Sequence, residues 1–233
     1  KMRYLFIFLS SLMLLISIAI SQTLLFYDGK MHVVFCDVGQ GDAIFIRTPS
    51  RNDILIDGGP DQRVLACLED NLPFWDRSID AIFLTHPHAD HLTGLTYVLE
   101  RYKVRYYLSS GVEGDTEIYR KFKDLLAAEK VSAKKLKAGD KLTFGKNSSF
   151  QILRPNQSYL DSWYQGNFGK DPNSTSLVIK TSFGLFDLLF TGDAESEVLS
   201  QIPLSDVEIL KVPHQGSKGA ITSEDLGRIK PEV

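Results

Sequence analysis

Three histidines and an aspartate fall within six residues of Thr85-His86-Pro87-His88-Ala89-Asp90-His91. Imidazole and carboxylate donors together suit zinc, manganese or iron. The cluster directly follows the apolar run Ala81–Leu84. In an extended segment, residues two apart point the same way, so His86 and His88 are placed to share one metal. Asp90 and His91 come from the turn into the next helix and face a second position. A histidine-rich turn without metal is the competing reading. Thr191-Gly192-Asp193 ends a second apolar run; Gly192 lets the backbone come close, and Asp193 reads either as a ligand or as an ordinary turn or helix cap. Val212-Pro213-His214-Gln215-Gly216-Ser217 ends a third, and its lone histidine is either structural or functional. Asp37-Val38-Gly39-Gln40-Gly41-Asp42 closes the first strand with two glycines. It reads as a turn lining a cleft, or as any acidic hairpin turn.

The elements that must position these groups alternate along the chain. Strands are expected at Met31–Asp37, Ala43–Arg47, Asp53–Asp57, Asp80–Thr85 and Arg105–Ser109. Later strands are expected near Ser149–Leu153, Ser176–Lys180, Leu185–Thr191 and Val207–Val212. Helices are expected at Arg63–Asn71, His91–Tyr102, Thr116–Lys130 and near Glu195–Gln201, with Ser223 capping a last one. Asn156–Asn173 is irregular and rich in polar and aromatic residues, and substrate contacts often lie in such loops. Strands interleaved with helices argue for an α/β body.

Taken together, the motifs resemble the metallo-β-lactamase superfamily of metal hydrolases, with HxHxDH as its metal signature. The resemblance is closest to the C-terminal domain of ComEC-type DNA-internalisation (competence) proteins. FCDVGQGDAIFI, ILIDGG, THPHADHLTGL, NSTSLVIK, LLFTGDAE and LKVPHQGSKG occur in that subgroup's order. The resemblance implies an αββα sandwich, two sheets packed face to face with helices outside. It implies two divalent ions, Zn or Mn. His86 and His88 would hold one, Asp90 and His91 the second, and Asp193 would bridge both. Asp57 would orient the histidine loop. Asp37, Gln40 and Asp42 would rim the site, with Asn173, Ser174 and Ser217 lining it. Asp90 and His214 are the catalytic candidates. The sequence departs from the subgroup in two places: Gln215 stands where a second histidine is usual, and a late Gly-His-Pro segment does not follow Glu232-Val233. Residues 28–233 therefore read as a hydrolase domain that is C-terminally incomplete.

The remaining features concern location and partners. From Tyr4 to Tyr27 no residue is charged, and Lys1 and Arg3 precede. Residues 1–27 read as a transmembrane helix or as a signal segment. Either reading places the body across, or against, the far side of a membrane. Without residues 1–27, 24 basic side chains face 29 acidic ones, which argues against a generally basic nucleic-acid binder. Arg101–Lys141 nevertheless holds 11 basic against 6 acidic residues. Lys130, Lys134, Lys135, Lys137 and Lys141 form either a track for a phosphate backbone or an ordinary solvated face. Tyr159, Trp163, Tyr164 and Phe168 would stack bases or simply fill a loop. Cys36 and Cys67 lie in apolar stretches and read as buried free thiols, with a pair in an oxidising compartment as the alternative. The expected function is a phosphodiesterase acting on single-stranded DNA during uptake, alongside other uptake proteins. A hydrolase of a small ester, lactam or phosphoester, and a catalytically degenerate DNA-binding or channel module, are the alternatives.

Overall fold

A computed structural model describes residues 1–166 and 171–233. The chain opens with α1 (Met2–Phe26), which has no buried residue and a mean hydropathy of 2.3 over its most apolar window. At ~1.5 Å per residue it reaches ~37 Å, long enough to cross a bilayer.

Two sheets follow. The first runs β1 (His32–Phe35), β2 (Ile44–Arg47), β3 (Asp53–Ile56), β4 (Ser78–Leu84), β5 (Lys103–Ser109) and β6 (Ser132–Lys135), in that spatial order. β1 to β3 are antiparallel, and β3 to β6 are parallel. The second sheet comprises β7 (Lys141–Thr143), β8 (Ser148–Arg154), β9 (Val178–Phe183), β10 (Phe186–Phe190) and β11 (Ile209–Leu210). All its pairs are antiparallel except β10–β11. Helices α2 (Arg63–Asn71), α3 (Ala89–Arg101) and α4 (Glu117–Ala128) belong with the first sheet. The shorter α5 (Gln157–Tyr164), α6 (Ser196–Leu199) and α7 (Ser223–Ile229) come later in the chain, α6 and α7 against the second sheet.

Period-two alternation sorts the side chains into layers. Leu55 and Ile82 face the helices with Leu68, Leu95 and Phe122. Ile54, Ile56 and Phe83 face the other way, into a middle layer shared with Phe150, Ile179 and Phe190. Val178 and Leu189 pack outward against Leu199 and Ile229. The result is the expected αββα sandwich behind an apolar N-terminal helix.

Several local expectations need correction. Cys36 and Cys67 are joined in a disulfide, with Cα atoms 5.7 Å apart, and are not free thiols. β1 delivers Cys36 against the buried face of α2, and sequence separation hid that approach. Thr222, not Ser223, caps α7; its hydroxyl and the Asp225 carboxylate exchange hydrogen bonds with each other's backbone N–H. Asn156 caps an ordered helix, α5, inside the stretch expected to be irregular. β6 and β7 were not expected at all. Their exposed lysines carry no apolar alternation.

Chain direction gives the sandwich two distinct edges. β3, β4, β5 and β10 all end at one edge, which holds Asp57, His86, Ser109 and Asp193 within three residues of the strand ends. The β2–β3 turn, the α2–β4 loop and the β9–β10 turn lie at the other, beside the end of α1.

Candidate metal centre

The Thr85–His91 loop is held from below by one carboxylate. Asp57 is fully buried and follows β3 with φ 57°. It accepts hydrogen bonds from the Thr85 backbone N–H at 2.8 Å and from the Thr85 hydroxyl at 2.7 Å. Its second oxygen lies 2.8 Å from His91 Nδ1. That pairing leaves His91 Nε2 bare. Nε2 is buried, has no hydrogen-bond partner among the described residues, and lies 3.3 Å from Asp193 Oδ1. An uncapped buried nitrogen costs free energy, and a metal would satisfy it.

His86 is buried, with Nδ1 held by the Thr85 and Ser176 hydroxyls at 3.0 and 3.2 Å. Its Nε2 lies 3.1 Å from His88 Nδ1 and 3.8 Å from Asp193 Oδ2. His88 is the half-exposed N-cap residue of α3. Asp90 follows in the first turn, with Oδ2 4.0 Å from His91 Nε2. Donors from His86, His91 and Asp193 all lie within 4.8 Å of one another.

Asp193 turns its two oxygens to different neighbours. Oδ1 faces His91, and Oδ2 faces His86 and, at 3.6 Å, His214 Nε2. Burial alone would raise its pKa, but the nearby charges of His91, His86 and Lys211 hold it well below the usual carboxylate range. Burial, with the charge of His91, lowers the pKa of His86. Burial would lower the pKa of His91, but Asp57 and Asp193 hold it well above the usual imidazole range, so His91 must release a proton to bind a metal, whereas ionised Asp193 and neutral His86 need not change. The donor atoms of His86, His91 and Asp193 therefore fit a divalent metal, with His214 Nε2 beside Asp193 Oδ2, His88 Nδ1 beside His86 and Asp90 Oδ2 beside His91.

His214 and Gln215 both have φ 46°, in the left-handed region. This turn aims His214 Nε2 inward while its Nδ1 lies 2.8 Å from Glu195 Oε1. Ser217 donates to the same oxygen. Gln215 donates its side-chain N–H to Asp193 Oδ1 at 3.2 Å, so an amide stands beside the second cluster of donors. Asn173 and Ser174 line a cleft of about 170 Å³ with Asp171, Asp193, Glu195 and His214.

The glycine-bounded turn after β1 packs on the same loop. Gly41 has φ 87°, and a Cβ there would overlap the Asp90 carbonyl oxygen. Asp42 is buried with Oδ2 3.9 Å from His91 Nδ1, paired with Lys211 Nζ. Burial raises its pKa, and Lys211 partly offsets this. Asp37 and Gln40 are exposed, and Arg63 is the charged neighbour of Asp37. The sequence reading missed Glu195, Lys211 and Ser176. Glu195 stands two residues after Asp193, a spacing that offered a signal; Ser176 and Lys211 offered none beyond adjacency to the motifs.

The lysines divide. Lys135 pairs in register with Ser109, which pairs with Leu84, so Lys135 stands two strands from the histidine loop at the same edge. Lys135 and Lys137 line a cleft of about 300 Å³ with Ser110, Gln157 and Tyr164. Lys134 precedes them on β6 and Lys141 opens β7. Lys130 lies before β6, towards the opposite edge, and does not join them. The Tyr159 ring is covered by the Arg154 guanidinium at 4.4 Å. Tyr164 is exposed, and its hydroxyl donates to the Gly111 carbonyl. Phe168 lies outside the described residues.

Residues 36–232 match the profile of a protein family described as the metallo-beta-lactamase superfamily. Among curated proteins, the chain is 28% identical over 231 residues to ComE operon protein 3 of Bacillus subtilis (strain 168), covering 88% of this chain and 28% of that protein. It is also 28% identical over 208 residues to Recombination protein 2 of Haemophilus influenzae, covering 84% of this chain and 23% of that protein. It spans about a quarter of the length of these relatives. A similar solved structure is the metallo-beta-lactamase fold protein YhfI from Bacillus subtilis, with a TM-score of 0.52 and 15% identity over 85% of this chain and 79% of that one. At that identity the likeness is one of fold.

Proposed function

The chain belongs to the metallo-beta-lactamase superfamily, and from that membership we propose that it is a metal-dependent phosphodiesterase that cuts a DNA strand beside a membrane during DNA uptake. The observation that carries the reading is the two-sided Asp193, with histidine nitrogens facing both of its oxygens. A metal pair held there would lower the pKa of water to ~7 and stabilise the attacking and leaving oxygens of a phosphodiester. The chain's own residues supply the rest. Asp57 fixes the ring of His91, Glu195 fixes that of His214, and Lys135 and Lys137 meet the phosphate backbone beside the site. His214 Nε2 is placed to give a proton to the leaving oxygen.

Two further observations support the biological setting. The resemblance to ComEC-type proteins and the names of the curated relatives favour DNA over a small ester or lactam. The disulfide favours an oxidising compartment, hence the extracytoplasmic side. One observation favours a second reading, a DNA-binding module that does not cut: the amide of Gln215 stands against Asp193 Oδ1.

The test is direct. The full chain, in detergent or nanodiscs, is given Mn²⁺ or Zn²⁺ and single-stranded DNA. Cutting is expected, and Asp90→Ala or His88→Ala should each abolish it. Binding without cutting under any metal would establish the second reading.

A further inference from the structure

The edge of the sandwich opposite the metal centre carries several large apolar side chains that the three cores leave out. Phe74 and Trp75 sit in the α2–β4 loop, 62% and 44% exposed, with their rings packed edge to face at 4.8 Å. The next residue, Asp76, accepts a hydrogen bond from Tyr27, the residue that ends α1. At the β9–β10 turn, Gly184 takes φ 62° and presents Leu185, which is 99% exposed, followed by Phe186. This turn lines a mainly apolar cavity of about 740 Å³ with Gly29, Lys30, Met31 and Val33, the stretch that leaves α1. Two loops far apart in sequence thus bring exposed aromatic and aliphatic groups to the exit of α1, the one helix among the described residues long and apolar enough to cross a membrane. Basic side chains are interspersed. Arg51 lies over the Tyr27 ring at 4.6 Å, and Lys30, Arg77 and Lys146 are exposed. Lys146 belongs to the β7–β8 turn, whose backbone N–H bonds the Ser50 hydroxyl of the β2–β3 turn.

We infer that this edge rests in the headgroup region of the bilayer that α1 crosses. Phe74, Trp75, Leu185 and Phe186 enter the boundary between headgroups and acyl chains, and Arg51, Lys30 and Lys146 meet lipid phosphates. Tryptophan beside an aromatic partner, flanked by cations, is the chemistry that this layer selects. The occupant is argued from continuity: a membrane around α1 necessarily reaches Tyr27, and Tyr27 is bonded to this loop. The consequence is an orientation. β4 has seven residues at ~3.3 Å each, so the histidine loop stands ~20 Å from the lipid surface and opens to water.

The inference rests on α1 being a membrane anchor, and the experiment separates the two. The chain contains two tryptophans, Trp75 and Trp163. A Trp163→Phe variant of the full chain, reconstituted into phosphatidylcholine–phosphatidylglycerol vesicles, reports Trp75 alone. Lipids carrying a nitroxide near the headgroup should quench it strongly, and lipids labelled at the chain end only weakly. A Trp75→Phe variant, reporting Trp163 near the metal edge, should be quenched by aqueous acrylamide and by neither lipid. Leu185→Asp with Phe74→Ser, both at exposed positions, should reduce the lipid quenching of Trp75 while the chain still floats with vesicles. A chain that floats but whose Trp75 is quenched by acrylamide and not by lipid overturns the inference. So does a Trp75 shielded from both, which means that a protein covers this edge. A chain that does not float overturns the anchor as well.

Discussion

Asp57 holds the candidate metal loop from below, because three groups depend on its two oxygens. In Asp57→Asn an amide replaces an acceptor, and His91 loses the partner that fixes its ring and tautomer. The expected outcome is a ~10–100-fold loss of metal affinity, read by calorimetric titration. A thermal melt should report ~1–3 kcal/mol lost from the unsatisfied Thr85 and His91 groups. The ligand candidates were legible in sequence because a metal loop is local: His86, His88, Asp90 and His91 are neighbours in the chain and in space. Asp193 and His214 were legible as the ends of apolar runs. The groups that aim the ligands were not. Glu195 looks like a helix-start acid, Ser176 like a strand residue and Lys211 like a solvated cation. Their roles come from contacts across 19 to 90 residues of chain. Gln215, flagged as a departure from the subgroup, proves to have a defined partner in Asp193.

At the scale of elements, the disulfide ties the strand that leads into the Asp37–Asp42 turn to a helix on the outer layer. It closes a loop of 31 residues. Chain-entropy arithmetic gives ~3–4 kcal/mol for a loop of that size. Cys67→Ala should lower the denaturant midpoint by a corresponding amount, and reducing agent should do the same to the parent but not to the variant. Strands β2, β3, β4 and β10 were readable because apolar runs bounded by turn residues leave little alternative. β6 was not. Its four residues, Ser132–Lys135, are all exposed at the end of the first sheet. Charged side chains on an edge strand discourage pairing with another chain, so the property that makes β6 safe also removes its sequence signal. The tie between Cys36 and Cys67 ranks only as an alternative in the sequence for a related reason: apolar surroundings suit a disulfide as well as a thiol.

Over the whole molecule, the two edges of the sandwich carry different surfaces, which net composition does not show. Lys135, Lys137 and the exposed Tyr164 sit at the metal edge; Phe74, Trp75, Leu185 and Phe186 sit at the other. If the two lysines each neutralise a phosphate, Lys135→Ala with Lys137→Ala should flatten the slope of log affinity against log salt by ~1.4 for single-stranded DNA. The variant should melt as the parent does, since both side chains are exposed. Between the edges lies the joint with α1. Arg47 grips both oxygens of Asp53 and donates to the carbonyls of Phe26 and Asn71, with its guanidinium over the Tyr27 ring. The last turn of the helix is therefore fastened to β2 and α2, and not left on a swivel. With α1 in a bilayer, the helix and the sandwich would move as one lever. Membrane-spanning helices commonly tilt by ~20°, and on an arm of ~20 Å that angle carries the metal edge sideways by ~7 Å. A membrane whose thickness changed that tilt would shift the metal edge relative to the lipid surface by a comparable distance.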